Sequence, residues 1–295
     1  MKKLITIVLL ALGAIQSPFA LADGPAIPDE YKDLRWHRKE TANFEILAID
    51  SRHAQQIKSY VETLKTWTCN RWGLSDVPFQ KPCMIICVPS QELFKEFTRK
   101  DDVEPKASMS KNPDGTDRPV FTIWIAATPD DSWLTATLPE KLSRICLLNY
   151  EATYGIKLGT WAHVGMSALN NNVGTVRNML TNLNVNQDYE SGVILSTTEA
   201  DYIALTPEDK QVFRREAAAL CLMLRKEFGH KRFHSFLAKS TDASPPVFVF
   251  GFSDIDQFNV SYNSFVRNLG HDLQTGRTPD SYLTWFLPKK AQASE

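Results

Sequence analysis

Few side chains in this sequence could take part in catalysis or bind a metal. The histidines and cysteines are considered first. His230 and His234 stand at i and i+4, a spacing that puts two imidazoles on one side of a helix, where they can chelate a metal weakly. Neither has an acidic neighbour and a third ligand is not apparent, so the spacing favours a solvated helix face. Cys146 and His163 could form a thiol and imidazole pair for nucleophilic catalysis. Cys146, however, falls in an apolar stripe at helical spacing, which predicts a buried and unreactive thiol.

The cysteine count argues against a disulfide scaffold. There are 5 cysteines, an odd number, so at least one thiol is free or pairs outside the chain. Cys83 and Cys87 lie four apart on one predicted strand, about 13 Å, which is too far for them to bridge each other. Cys69 with Cys83 is the only pair that we consider able to form a disulfide. Stability must therefore come from the hydrophobic core.

Glu140 is a carboxylate that could act as a general base, but its surroundings also have a structural explanation. Thr137 and Glu140 stand three apart, as in a capping box, in which the carboxylate returns to the N–H of the cap residue. Pro139 between them is tolerated in the first turn of a helix. The pattern favours a structural role for Glu140. The sequence has no glycine-rich phosphate loop, dinucleotide fingerprint, serine elbow or CxxC pair that would point to another reaction.

These residues are positioned by a few strands followed by many helices. Apolar alternation or a continuous apolar run predicts strands at residues 43–48, 83–88 and 120–126. A long amphipathic helix is predicted from Ser51 to a stop at Gly73, and a short one follows at residues 90–97. Residues 100–119 are polar and contain three prolines, which predicts a long surface loop. Helical spacing and cap signals then predict helices at residues 137–150, 159–170, 175–184, 206–228, 230–239 and 253–269.

This order of elements predicts an α+β fold. Residues 23–128 would form a small mixed β-sheet lobe and residues 129–288 an all-helical lobe, with residues 289–295 as a tail. Residues 1–22 have the layout of a secretory signal peptide, because two lysines precede an apolar run and a small-residue cleavage site. We therefore expect an exported protein, periplasmic or secreted. The rest of the chain has no apolar run of membrane-spanning length, so we expect no stable span in the mature protein.

The overall composition is that of an ordinary globular protein. Apolar residues make up 43% of the chain and charged residues 23%, and 33 Lys and Arg nearly balance 34 Asp and Glu. The net charge of −1 argues against a protein that works by neutralising nucleic-acid phosphates or anionic lipid. We therefore expect no nucleic-acid partner.

Five stretches, taken in order, resemble the peptidase MA-like gluzincins, whose core is similar to that of thermolysin. The likeness rests on pattern and order rather than on one signature. It implies a zincin-like fold, in which a sheet edge lies above a pair of ligand-bearing helices. The stretches are TANFEI (41–46), PCMIICVPSQELFKEF (82–97), FTIWIA (121–126), TWAHVGMSAL (160–169) and FRREAAALCLMLRKEFGHKRFHSFL (213–237).

The resemblance also implies a zinc site, from which this sequence departs. The family's HExxH motif puts two histidines one turn apart on one helix, and a glutamate in a W-x-x-E-G-like stretch supplies the third ligand. Laid on this chain, Pro139 and Ser143 stand at the histidine positions and Glu140 at the catalytic glutamate. Val164 stands at the third ligand position, between Trp161 and a matching glycine. The three ligand positions are thus degenerate, so we expect no zinc, no other cofactor and no catalytic residue among them.

The sequence therefore predicts a gluzincin-like pseudopeptidase without zinc that acts as a peptide- or protein-binding module. In this family an edge strand pairs with extended substrate, and main-chain hydrogen bonds at a sheet edge need no metal. We expect residues 121–126 to be that edge, with the predicted loop above it. The binding candidates are Phe121, Ile123, Trp124, Ile125, Glu140, Trp161 and His163.

The alternative is a divergent metallopeptidase or other hydrolase whose ligands come from elsewhere, such as Glu140, Glu151 or His163. His163 lies one residue before Val164 and is therefore rotated about 100° from the ligand-bearing side of its helix. A histidine satisfied in a cleft or on the surface is the simpler interpretation. In either case the expected partner is a peptide or an exported protein.

Overall fold

The computed structural model describes residues 34–74, 83–100, 103, 105–111, 117–239 and 247–278. The predicted signal peptide and tail lie outside these residues. The described chain is α+β, as predicted, with a small mixed sheet followed by a mostly helical region. None of its helices combines the length and the apolar character needed to cross a lipid bilayer.

The sheet has five strands: β1 (His37–Glu40), β2 (Phe44–Ala48), β3 (Cys83–Val88), β4 (Lys106–Lys111) and β5 (Asp117–Ala126). Their order across the sheet is β1-β2-β3-β5-β4. The three inner strands are parallel, and β1 and β4 run antiparallel at the two edges. The three strands predicted from apolar patterns are the three inner ones.

The polar segment before β5 contains a strand, which corrects the loop predicted at residues 100–119. β4 pairs with the first part of β5, with Lys106 opposite Thr122 and Lys111 opposite Asp117. The β4 sequence, KASMSK, has one large apolar residue and therefore carries no alternation that indicates a strand. The β1 sequence, HRKE, has no apolar alternation either, so it was not predicted. An edge strand needs few apolar side chains.

β5 is therefore not a free edge along the whole of residues 121–126, as the sequence predicted. Its last four residues, 123–126, continue past the end of β4. Pro105 precedes β4 and has no N–H to donate to the ladder, so the pairing ends there. Within β5, this end is the part that has no described strand on its outer side, whereas β1 and β4 are the edge strands of the sheet.

Ten helices of very different length follow or separate the strands in the described chain. α3, α7 and α8 are too short to carry a periodic signal, whereas the longer helices agree with the predicted positions to within a few residues. They are α1 (Ser51–Trp72), α2 (Gln91–Thr98), α3 (Ser132–Thr135), α4 (Thr137–Tyr154), α5 (Thr160–Leu169), α6 (Val173–Thr181), α7 (Ser191–Ser196), α8 (Glu199–Ala204), α9 (Pro207–Lys239) and α10 (Ile255–Gln274).

β5 contributes to two apolar clusters, because successive side chains of a strand point to opposite faces. Trp124 lies in a small cluster with Phe94 and Phe97 of α2. The other face belongs to the large core, which also contains the apolar stripe of α4. The residues of this shared core are Phe121, Ile123 and Ile125 from β5 and Leu142, Ile145 and Cys146 from α4.

α5 lies beside α4 and crosses α9 at very short range. A Cβ added to Gly165 would lie 2.4 Å from the backbone oxygen of Ala217 and 2.8 Å from Cys221 Sγ, so a larger residue does not fit there. α9 is itself broken at Gly229, where a φ of 72° interrupts the helix. This break is the predicted boundary between helices at residues 206–228 and 230–239.

Candidate functional site

A cavity of about 660 Å³ lies where the open end of β5 meets α2, α4, α5, α8 and α9. The residues of α4 and α5 form one side of it, and Trp124 of β5 and Phe94 of α2 form another. A smaller cavity of about 280 Å³ shares Arg144, Thr160 and His163 with the first, so the two are parts of one cleft. The cleft therefore lies between the end of β5 and the neighbouring helices α4 and α5.

A cavity of similar volume, about 680 Å³, lies beside α10. It contains none of the site residues predicted from the sequence. Lys226, Glu227 and Arg277 line it and are exposed, as on an ordinary solvated surface. The cleft beside α4 is accordingly the candidate site.

The residues of α4 that line the cleft are one position further along than the sequence predicted. Glu140 and Arg144, at i and i+4, both line it, together with Lys141. Pro139 and Ser143 are buried and do not belong to the lining. Since each residue turns the helix by about 100°, a shift of one position changes which side chains face the cleft. The two positions that the resemblance aligned with the family's histidines therefore lie in the core, behind the cleft lining.

Three site residues were predicted on α5, and two of them, Val164 and Trp161, have different surroundings. Val164 lines the cleft, as predicted. Trp161 is fully buried and packs edge-on against Phe236, with ring centroids 5.6 Å apart. Trp161 is thus a core residue and does not contact the cleft.

The Glu140 carboxylate is fully engaged within the protein. Arg214 of α9 places Nη1 2.6 Å from Oε1 and Nη2 2.6 Å from Oε2, and Asn171 donates to Oε2 at 3.0 Å. The predicted capping box is absent, because α4 begins after Ala136 and no side chain caps it. Glu140 therefore acts as the partner of a guanidinium from α9.

The cationic residues of α4 differ in how they are bound. Lys141 is buried and its Nζ donates to the carbonyl oxygen of Val103 at 2.7 Å. Arg144 has only 15% of its side chain exposed, and its closest carboxylate is that of Glu199, with Nη2 3.8 Å from Oε1. Its Nε is buried and has no hydrogen-bond partner in the described part of the chain. Arg144 thus brings a mostly buried and poorly satisfied positive charge to the cleft.

His163 is buried in the cleft wall and bound to Glu151. Its Nε2 lies 2.9 Å from Glu151 Oε1, which also accepts the N–H of Leu158 at 2.6 Å. Burial and the charge of Arg144 lower the pKa of His163, and the bond to Glu151 only partly offsets them. The neutral ring donates from Nε2 to the carboxylate, so Nδ1 is a bare acceptor. The expectation of a satisfied histidine in a cleft is confirmed at Nε2.

Two further side chains of the lining carry polar atoms without a partner. Trp124 Nε1 and Ser167 Oγ are buried and, like His163 Nδ1, make no hydrogen bond to any described residue. Buried polar atoms outside the cleft, such as Trp72 Nε1 and Ser143 Oγ, share this state, so what distinguishes Trp124 and Ser167 is that both residues line the cleft. The sequence predicted Trp124 as a contact but gave no sign of Ser167.

The remaining binding candidates of β5 do not reach the cleft. The side chains of Phe121, Ile123 and Ile125 are fully buried in the large core. Of the predicted binding residues, Trp124 therefore lines the cleft from β5, while Glu140 and His163 line it from α4 and α5.

The cysteines and the histidine pair lie away from the cleft. The 5 thiols are free and buried, so the suggested Cys69–Cys83 disulfide is wrong. Cys69 Sγ lies 3.7 Å from Cys146 Sγ, and the Cys146 thiol therefore contacts a cysteine rather than His163.

His234 is half-buried and hydrogen-bonded to the carbonyl of Trp72, which corrects the solvated face predicted for it, while His230 is exposed. The described residues include no cluster of three or more His, Cys, Asp or Glu suited to a metal.

No protein-family model matches the chain. No curated protein matches it either. The function must therefore be argued from the geometry of the cleft.

Proposed function

We propose that this chain is an exported, gluzincin-like pseudopeptidase that lacks zinc and binds a peptide or an extended protein segment in its cleft. The supporting observation is the arrangement of Glu140, Arg144 and Val164 around one cavity. Two of them are one turn apart on one helix and the third is on the neighbouring helix, as the ligands of a gluzincin are. In this alignment Glu140 and Arg144 take the places of the family's two histidines. Lys141 then takes the place of the catalytic glutamate, which follows the first histidine.

These residues do not fit a zinc ion. Arg144 is a cation without a lone pair to donate, and Val164 has no donor atom. The Glu140 carboxylate is taken by Arg214, whose own charge would repel a divalent cation beside it. Without a metal there is no Lewis acid to polarise a peptide carbonyl and no metal-bound water to attack it. Binding without cleavage is the function that this chemistry supports.

The cleft has features of a site for an extended chain. Residues 123–126 of β5 continue past the end of β4, but Ile123, Trp124 and Ile125 are at most 3% exposed, so Trp124 and Ala126 are the residues of this stretch that line the cleft. Trp124 and Tyr202 add aromatic surface to the lining. An extended segment could thus lie over α4 and α5 beside these side chains and meet the strand at Ala126, where main-chain hydrogen bonds add affinity.

The alternative, a divergent hydrolase, is favoured by one observation. The Glu151–His163 pair lies at the cleft with a donor–acceptor distance of 2.9 Å, and Ser167 follows His163 by one helical turn. A neutral histidine oriented by a carboxylate is the arrangement that activates a hydroxyl in serine hydrolases. Hydrolysis of an activated ester by the purified protein, abolished in His163→Gln, would favour this alternative.

The test compares binding, cleavage and metal content of the purified protein. A pool of random-sequence peptides is incubated with it, and retained and cleaved peptides are identified by mass spectrometry after gel filtration. The variant Val164→Arg fills the cleft, and Val193→Arg changes an exposed valine of α7 as a matched control.

We expect intact peptides to be retained by the parent protein and by Val193→Arg but not by Val164→Arg, with no stoichiometric zinc in elemental analysis. Cleavage that depends on about one zinc per chain contradicts the proposal. Equal retention by the two valine variants contradicts it as well, because the bound peptide would then lie elsewhere.

A further inference from the structure

The charges that line the cleft are unbalanced. Among the described lining residues four are cationic and two are anionic, and His163 adds no charge because it is held neutral. An excess of positive charge in a partly enclosed space favours an anionic ligand. The charged residues are Lys100, Lys141, Arg144, Arg214, Glu140 and Glu199.

The cation best placed to meet such a ligand is Arg144. Arg214 already holds both oxygens of Glu140, and Lys141 donates to a backbone carbonyl. Arg144, in contrast, makes no hydrogen bond to the described residues, since the 3.8 Å separation from Glu199 is beyond hydrogen-bond length. Its planar guanidinium matches the two oxygens of a carboxylate. Glu199 is 58% exposed and can turn away when a ligand carboxylate arrives.

An independent observation points to the same chemistry. Trp124 Nε1 is a buried donor and Ser167 Oγ can donate, and neither has an acceptor among the described residues. His163 Nδ1 is a buried acceptor in the same lining. A peptide that ends in or carries a carboxylate supplies acceptor oxygens together with an amide N–H, which is what these groups lack.

We propose that the cleft selects peptides by a carboxylate, which pairs with the guanidinium of Arg144 and accepts hydrogen bonds from Trp124 and Ser167. The proposal rests on the proposed function, because it names the feature by which a bound peptide is chosen. The carboxylate can belong to the C-terminus of the peptide or to an acidic side chain within it. The chemistry at Arg144 is the same in both cases.

The experiment uses four pools of random-sequence pentapeptides. The pools are first compared on the unmodified protein. Two pools differ in the C-terminus, as free acid or amide. Two amidated pools differ at the central position, fixed as Glu or Gln. Retention of each pool by the purified protein is measured as a function of concentration, and retained peptides are counted by mass spectrometry.

We expect the carboxylate member of at least one pair to bind at least about tenfold more tightly, the effect of one charge-assisted hydrogen-bonded pair. A preference in the first pair identifies the C-terminus as the source, and a preference in the second identifies an acidic side chain. Equal retention within both pairs overturns the selection by a carboxylate but leaves peptide binding intact. Retention of no pool overturns the proposed function as well.

The assignment to Arg144 is tested by substitution. Arg144→Gln should abolish the preference within the pair, and Arg144→Lys, which keeps the charge but loses the planar fork, should keep only part of it. Arg267→Gln is the matched control, because Arg267 pairs with Asp188 away from the cleft. If Arg144→Gln fails to fold, Arg144→Lys still decides the question. A full preference in the folded Arg144 variants overturns the assignment.

Discussion

Arg214 of α9 and Glu140 of α4 form a two-bond ion pair, with each guanidinium nitrogen 2.6 Å from its own carboxylate oxygen. Both side chains are 25% exposed, so this pair is better shielded from water than an ordinary surface ion pair. It joins the first turn of α4 to α9 across the cleft, although the two residues are 74 positions apart. The pair therefore both fixes the helix that lines the cleft and removes Glu140 from acid–base chemistry.

Removing this pair should destabilise the protein. We expect Arg214→Met to lower the free energy of unfolding by about 1–3 kcal/mol, because the Glu140 carboxylate is left partly buried with only Asn171 as a partner. Urea denaturation of Arg214→Met, Glu140→Gln and the double variant measures the coupling between the two. We expect the double variant to cost less than the sum of the single ones. Additive costs would show that the two groups do not interact in solution.

The exposed pair of Arg52 and Asp131 provides the control. Arg52 has 64% of its side chain exposed although its Nη2 lies 2.6 Å from Asp131 Oδ2. We expect Arg52→Met to change the free energy of unfolding much less than Arg214→Met, because water screens the exposed charges.

The register of the cleft residues can be tested by restoring a zinc site. We expect Glu140→His, Arg144→His and Val164→Glu, combined with Arg214→Gln to remove the repelling charge, to give a protein that binds about one zinc per chain. The measurement is elemental analysis together with competition against a coloured chelator. The matched variant places the histidines at Pro139 and Ser143 instead. It should bind no zinc and lose stability, because both positions are buried. Zinc binding by the matched variant alone contradicts the register.

The residues of α4 that line the cleft could be predicted from the apolar pattern of the helix. Leu142 and Ile145 mark the buried side of the helix, and with about 100° per residue Glu140 and Arg144 fall almost opposite to them. The resemblance instead aligned Glu140 with the family's catalytic glutamate. That alignment placed the two histidine positions at Pro139 and Ser143, one residue before Glu140 and Arg144. Helix packing, set by the apolar stripe, was the stronger guide to what faces the cleft.

The main features of the fold followed from apolar patterns, and the rest lacked a local signal. The inner strands and long helices bury many large side chains, so apolar residues recur along them with a clear period. β4 is polar, and the partnership of Arg214 with Glu140 joins residues that are distant along the chain. The His163–Glu151 bond likewise forms only because α4 and α5 lie side by side. The sequence therefore located the cleft but did not reveal its hydrogen bonds and ion pairs.

The close crossing of α5 and α9 makes a direct prediction at Gly165. We expect Gly165→Ala to lower the free energy of unfolding by about 1–3 kcal/mol, because the new methyl group would collide with the backbone of Ala217. Gly174→Ala on α6 is the matched control, since its nearest neighbour would be 3.5 Å away. That change should be neutral or stabilising by up to about 1 kcal/mol. Equal effects of the two substitutions on denaturation would contradict the crossing.

The stability should depend on pH through Glu216. Burial raises the pKa of this carboxyl to about 7, and the charge of Arg215 opposes the shift only weakly. Between pH 4.5, the ordinary pKa, and about 7 the folded protein therefore binds more protons at Glu216 than the unfolded chain does. The contribution of Glu216 to the free energy of unfolding should fall as the pH rises through this window.

Thermal denaturation of the parent protein and Glu216→Gln at several pH values in this window isolates the contribution. As the pH rises, the melting temperature of the parent protein should fall relative to that of Glu216→Gln, because glutamine stays neutral. A difference that is constant with pH would mean that Glu216 is ionised in the folded protein throughout.

The contact between Cys69 and Cys146 predicts where an oxidant would act. Their sulfurs are 3.7 Å apart, and the hydrogen bond between the two thiols lowers the pKa of Cys69, which makes Cys69 the better nucleophile. We expect oxidised glutathione to produce a Cys69–Cys146 disulfide, detected by peptide mapping without reduction. Cys146→Ser should abolish the linked peptide. A Cys69–Cys83 link as the main product would contradict the prediction.

The early end of β4 limits what the sheet can recruit. The uncovered part of β5 is four residues, about 13 Å, and Pro105 prevents the ladder from being extended by β4 itself. A strand from a second copy of the chain would find too few main-chain groups there to add stably, since short edges are one way in which proteins avoid self-association. At the cleft, this short edge thus disfavours pairing between copies of the chain when the protein is concentrated.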